Sequence, residues 1–198
     1  MAAPLILASG SKARADLLRA AGLAFEVAAP PVDERTIESS WPGDVAPDEA
    51  ARLLASEKAL AVSRMSPAAL VIGADQTLAL GRERFTKATT LAEARATLVK
   101  LRGRTHALHS AFALARGGTI VADQVGTARM TMRRVSDEGL EDYLDRAGAA
   151  ILGSVGCYQL EGLGVTLFSA VEGDYFTVLG LPLLDLLASL RGEGVIAS

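Results

Sequence analysis

The chain has a single cysteine, Cys157, in 198 residues. That excludes a disulfide framework and a thiolate metal cluster, and it suits a reducing, cytoplasmic setting. Aromatic residues are scarce at 5%, so a core has to be assembled from Leu, Val, Ile and Ala. There is no surplus of positive charge. The formal net charge of -3 gives no general attraction to nucleic acid, so a polyanionic substrate would need a local basic pocket. No apolar run approaches the ~20 residues of a membrane span. Met1 to Leu7 is too short and too uncharged for a secretory signal. Repeats and low-complexity tracts are absent as well.

What remains is a chain that is half apolar and only 22% charged, enough to bury a sizeable core. Its length suits one domain, or two small lobes around a cleft. Leu5 to Ala8 reads as a buried strand, Ser9-Gly10-Ser11 as a turn, and Ala13 to Ala21 as a helix stopped by Gly22. Phe25 to Ala29 reads as a second strand, followed by a polar loop from Pro30 to Pro47, expected to be a lid or rim. A helix is expected over Asp48 to Ser63, with Asp48 as its cap, then a strand over Leu70 to Leu80 and a helix over Leu91 to Leu101. Thr105 to Ala115 and Thr119 to Val135 read as a hairpin turning at Gly117-Gly118. Ser136 to Arg146 opens with a cap signal and reads as a helix. A glycine-rich loop, Gly153 to Gly164, precedes a strand over Val165 to Val171. Pro182 to Arg191 is a closing helix with Pro at its first turn. Alternating elements followed by antiparallel pairs predict a mixed α/β sheet with flanking helices.

Two segments carry chemistry. In Leu7-Ala8-Ser9-Gly10-Ser11-Lys12-Ala13-Arg14 a buried strand passes through small residues into a helix, whose free N–H groups attract anions. Ser9 and Ser11 add hydroxyls, and Lys12 and Arg14 add positive charge, which suits phosphate. The spacing is not that of a P-loop. The plainer alternative is capping by Ser11, with Lys12 and Arg14 solvated. In Val71-Ile72-Gly73-Ala74-Asp75-Gln76-Thr77-Leu78 a carboxylate interrupts an apolar strand, which is costly without a partner or a metal. Gly73 and Ala74 are expected to leave room for a ligand beside it. Asp75 suits either a metal ligand or a general base; a turn-capping carboxylate is the alternative.

Other charges are less telling. Lys58 lies mid-helix and Lys87 follows a strand, and each alone reads as a solvated lysine. The pair Asp33-Glu34 suits a metal, yet loop acids are commonly just solvated. His106 and His109, three apart on a strand, face opposite sides and read as structural rather than chelating. Cys157 has no base nearby in sequence.

In order along the chain, these segments resemble the Maf family of nucleotide pyrophosphatases. The opening Leu5-Ile6-Leu7-Ala8-Ser9-Gly10-Ser11-Lys12-Ala13-Arg14-Ala15-Asp16-Leu17-Leu18 is similar to the family's first motif. Asp33-Glu34, Glu57-Lys58-Ala59, Ile72-Gly73-Ala74-Asp75-Gln76, Lys87, Gly103-Arg104-Thr105-His106 and Gly173-Asp174-Tyr175 to Gly180-Leu181-Pro182 follow. Each match is weak alone; the ordered set is specific and spans nearly the whole chain. The resemblance implies a mixed α/β fold with a deep cleft, shared with inosine-triphosphate pyrophosphatases. It implies a divalent cation (Mg²⁺ or Mn²⁺), a homodimer, and Asp75 as the base. It also implies release of pyrophosphate from a nucleoside triphosphate substrate held by Ser9, Ser11, Arg14, Lys58 and Lys87, with Glu34 and Asp75 toward the metal. Two departures stand out. Lys12 and Ala13 replace the family's proline and first arginine, and Lys87-Ala88 replaces Lys-Pro. Lys12 is expected to restore part of the lost charge.

Three positions that vary between the family's subgroups fall at Ala13, Gln76 and Glu161. Gln76 and Glu161 agree with the subgroup acting on 7-methyl-guanosine triphosphate, and Ala13 agrees with neither subgroup. A Glu161 carboxylate accepts only, which suits guanine's adjacent N1–H and 2-amino donors better than thymine or uracil. Other functional classes stay open at this point: a nucleotide-binding division or septum regulator with little turnover, and a generic sugar-phosphate hydrolase.

Overall fold

The computed structural model describes residues 4–197, so Met1 to Ala3, part of the stretch weighed as a signal, lie outside the described residues. The strands are β1 (Leu5–Ala8), β2 (Glu26–Val27), β3 (Leu70–Leu80), β4 (Glu83–Phe85), β5 (Thr105–Arg116), β6 (Thr119–Met132) and β7 (Phe168–Glu172). The helices are α1 (Lys12–Ala20), α2 (Glu34–Ser39), α3 (Pro47–Met65), α4 (Leu91–Leu101), α5 (Asp137–Ala147), α6 (Tyr175–Val178) and α7 (Leu183–Gly192). The strands form one mixed sheet in the order β2-β1-β3-β5-β6-β7, with β4 pairing to β3. β1 runs parallel to β2 and β3, and the remaining pairings are antiparallel. Among the described residues no helix is long and apolar enough to cross a membrane.

Period-two alternation along β3 and β5 decides what each face carries. Leu70, Ile72, Phe112 and Leu114 point to one face, where Leu18 of α1 and Leu186 and Leu190 of α7 cover them. Ala111, Ala113 and Ala115 point to the other, against Ala51, Ala55 and Ala59 of α3. The small alanine face lets α3 lie very close to the sheet. A Cβ on Gly73 would collide with the Ala55 carbonyl oxygen and come within 2.5 Å of the Ala59 nitrogen. The space beside Gly73 is therefore filled by helix backbone, not left for a ligand as the sequence suggested. The far ends of the long strands carry Leu78, Leu108, Ala128 and Met130, packed against α4 and α5.

Several boundaries differ from the sequence reading. The polar segment after β2 contains α2, whose N-terminus is capped by Asp33 accepting from the Arg35 N–H at 3.0 Å. Asp48 does not cap α3; that helix begins with Pro47 after Ala46, without a side-chain cap. Val165 belongs to a 3-10 turn over Leu163–Leu167, so β7 starts only at Phe168. A further 3-10 turn occupies Gly148–Gly153, and α6 lies where no helix was expected.

Candidate active site

The open end of β1 and β3 leads into a cleft of about 1010 Å³. It is bounded by the β1–α1 turn, by α2, by the segment after β4 and by the loop around Glu161. A smaller cavity of about 170 Å³ beside α5 is lined by none of the residues expected to bind phosphate, metal or base.

The turn presents unpaired donors to the cleft. The Ser9 hydroxyl accepts from the Ser11 N–H at 3.3 Å, and the Ser11 hydroxyl accepts from the Arg14 N–H at 3.4 Å. The backbone N–H groups of Lys12 and Ala13 have no partner among the described residues, as the first turn of a helix dictates. Arg14 is buried, and desolvation lowers its pKa while Asp75 and Glu34 counteract that. Its Nε donates to the Gly180 carbonyl at 2.8 Å, and its Nη1 donates to Ser9 Oγ at 3.0 Å and to the Ala74 carbonyl at 2.9 Å. One guanidinium thus ties together the turn, β3 and the segment after α6. Lys12 behaves differently: its side chain is 89% exposed and pairs with Asp16 on the outside of α1.

Opposite the turn, alternation sends Asp75 toward α3 and Gln76 to the other face. Lys58, buried on α3, donates to Asp75 Oδ1 at 2.6 Å. The same ammonium sits 2.6 Å from Glu34 Oε1 on α2. Asp33 and Glu34 therefore divide their tasks, one capping α2 and the other reaching into the cleft. Read alone as solvated, Lys58 is instead a buried cation between two carboxylates. Lys87 is exposed at the rim, with no ion pair among the described residues.

Gln76 lies under α6. Its Nε2 donates to Ser110 Oγ at 2.9 Å, to the Thr177 carbonyl at 3.2 Å and to the Val178 carbonyl at 3.1 Å. Ala13 and Glu161 line the same cleft. Apart from Asp33, which caps α2, the residues expected from sequence to bind phosphate, metal or base border one cavity.

Over residues 4–193 the sequence matches the family described as Maf-like protein. The chain belongs to the Maf family. A protein named nucleoside triphosphate pyrophosphatase from Bradyrhizobium diazoefficiens is 54% identical over 194 residues, covering 98% of this chain and 96% of that protein. One of the same name from Rhodopseudomonas palustris (strain BisB18) is 51% identical with the same coverage. Another from Caulobacter vibrioides is 50% identical, covering 98% and 97%.

Within this Maf fold the structure adds cleft residues that the sequence did not single out. Arg84 on β4 pairs with Glu38 of α2 at 3.2 Å and stacks on Trp41 at 5.4 Å, strapping the Glu34-bearing helix to the rim. Ser110 and the α6 carbonyls hold Gln76. Tyr158 lines the cleft and pairs with His106 Nε2 at 2.7 Å. None of these had a sequence signal, because each depends on pairing between distant elements. His106 is buried and His109 partly exposed, on opposite faces of β5. Cys157 is buried, which raises its thiol pKa and keeps it unreactive.

Proposed function

We propose that this Maf-family hydrolase splits nucleoside triphosphates between the α and β phosphates, preferring guanine or 7-methylguanine as the base. The observation that carries the reading is the juxtaposition, across one cleft, of a helix-opening turn with unpaired backbone N–H groups and the Lys58-bridged carboxylates Asp75 and Glu34. The named relatives at about half identity over the full chain support triphosphate hydrolysis.

The triphosphate lies over Ser9 to Ser11, where the N–H groups of Lys12 and Ala13 and the Arg14 guanidinium meet its oxygens. Lys87 approaches from the opposite rim and neutralises charge on the departing end. Asp75 orients a water and accepts its proton as the water oxygen bonds to the α phosphorus and the α–β bridging P–O bond breaks. Lys58 holds the Asp75 carboxylate in place through its 2.6 Å contact to Oδ1. The leaving pyrophosphate carries away the bonding electron pair, and the surrounding cations lower the barrier by meeting that charge.

The donor set suits a divalent cation. Lys58 engages one oxygen of each carboxylate, Asp75 Oδ1 and Glu34 Oε1, and leaves Asp75 Oδ2 and Glu34 Oε2, two hard oxygen donors, without a hydrogen-bond partner among the described residues. That fits Mg²⁺ or Mn²⁺, which bind through one or two carboxylates plus substrate phosphates. Glu34 and Asp75 would hold the cation, and it would supply Lewis-acid neutralisation of the phosphate oxygens. The single buried thiol suits a cytosolic site of action.

Base preference rests on Glu161, an acceptor at the cleft that suits the paired N1–H and 2-amino donors of guanine. A 7-methyl group makes the ring cationic and strengthens the pairing. The test compares kcat/KM for 7-methyl-GTP, GTP, UTP and dTTP. Faster cleavage of UTP or dTTP than of both guanine nucleotides removes the guanine preference.

A further inference from the structure

We infer that Ser110 is a positioning residue for specificity: it fixes the Gln76 amide so that only its oxygen faces the substrate, making this point of the cleft a reader of hydrogen-bond donors. The inference deepens the guanine reading above and rests on the same site.

The register of the sheet builds the arrangement. Gln76 of β3 stands directly opposite Ser110 of β5, and Ser110 directly opposite Gly126 of β6. The bare Gly126 lets α6 settle on this row, since a Cβ there would lie 2.6 Å from Thr177 Oγ1. Asp174 caps α6, accepting from the Thr177 N–H at 2.7 Å and its hydroxyl at 2.9 Å. The carbonyls of Thr177 and Val178 are thereby aimed at Gln76.

Those carbonyls and Ser110 together decide which way the amide points: the carbonyls share one amide hydrogen and Ser110 takes the other. A backbone carbonyl only accepts, so the Gln76 atom facing Thr177 and Val178 must be the nitrogen. Its shortest bond, 2.9 Å, goes to Ser110 Oγ, and the longer bonds of 3.2 and 3.1 Å share the other hydrogen. Ser110 accepts from Gln76 while its own proton goes to the Thr177 carbonyl at 2.7 Å. Ser110 is fully buried and its hydroxyl has no other role. Both amide hydrogens are therefore consumed inside the protein. Oε1 has no partner among the described residues, and Gln76 lines the cleft. A freely rotating glutamine would accept or donate equally well; this one offers an acceptor alone. A ligand group lacking a donor there leaves a desolvated acceptor unpaired, the situation in which polar sites discriminate most strongly.

The test uses nucleotide pairs differing by one donor: GTP against ITP, which lacks the 2-amino group, and UTP against 3-methyl-UTP, which lacks N3–H. Ser110→Ala should lower the preference for the donor-bearing member by about threefold to tenfold. The change should appear in KM, with kcat nearly unchanged. In a Gln76→Met background, which already lacks the acceptor, Ser110→Ala should cause no further loss of preference. The inference is overturned if Ser110→Ala keeps the wild-type ratio, if it slows all nucleotides equally through kcat, or if its effect persists in the Gln76→Met background. It is also overturned if the wild type discriminates within neither pair. A wild type that prefers uridine or thymidine nucleotides contradicts the guanine reading alone, and the donor reading is then judged on the uridine pair.

Discussion

The Lys58 ammonium lies 2.6 Å from the Asp75 carboxylate, joining a helix and a strand across a sequence separation of 17 residues. Both side chains are nearly excluded from solvent, at 9% and 11% exposure. A carboxylate so placed is tolerable only with a partner, and the partner also reaches Glu34. Structure and chemistry are therefore coupled at this pair.

Asp75→Asn keeps the shape but removes the charge and the proton acceptor. Turnover should fall by roughly 10²–10⁴-fold, with an unchanged circular dichroism spectrum. Near-wild-type turnover would show that Asp75 is not the catalytic carboxylate.

Lys58→Met removes the cation and leaves Asp75 buried and unpaired. Breaking such a pair costs on the order of 3 kcal/mol, so the urea midpoint should fall markedly. The double variant Lys58→Met with Asp75→Asn should recover part of that loss. An unchanged midpoint in the single variant would mean that Asp75 is well solvated without Lys58.

Much of this was legible in the sequence, and the rest was not for definable reasons. β3 and α4 have the ends the sequence predicts, because apolar periodicity and turn residues agree there. α2 was missed because it buries none of its residues and so leaves no periodic signal. α6 was missed because it is only four residues long and held by Asp174 and by the sheet beneath it. Asp75 stood out as a charge in an apolar strand, whereas the burial of Lys58 depends on how close α3 approaches β3. The Gln76–Ser110 pairing is a property of strand register, and spacing along one strand does not contain it.

Gly73 sets that approach. Gly73→Ala forces a Cβ into the Ala55 and Ala59 backbone, an overpacking of roughly 1–3 kcal/mol. Displacing α3 also pulls Lys58 from Asp75, so activity and stability should fall together. Full activity in a destabilised variant would show that the pair tolerates the shift.

At the turn, Arg14→Lys should harm both KM and kcat, because lysine cannot serve Gly180, Ser9 and Ala74 at once. Lys12→Ala should raise KM alone, since its exposed ammonium leaves Asp16 to meet the phosphates. No effect on KM would make Lys12 a purely solvated charge.

His106 predicts an acid-sensitive fold. Burial pulls its pKa from 6.5 down to about 4. Between those values the unfolded chain binds the extra proton, so stability rises with pH across the window and is lost as pH falls through it. The full effect is about 3 kcal/mol. Replacing it, His106→Gln, should flatten the stability profile between pH 6.5 and 4. A profile parallel to the wild type would mean that His106 titrates normally in the folded protein.

The most direct measurement of the central claim is the identity of the products. With a nucleoside triphosphate and Mg²⁺ or Mn²⁺, product analysis by phosphorus NMR should find equal amounts of nucleoside monophosphate and pyrophosphate. Nucleoside diphosphate with orthophosphate would place the attack at the γ phosphorus and contradict the account.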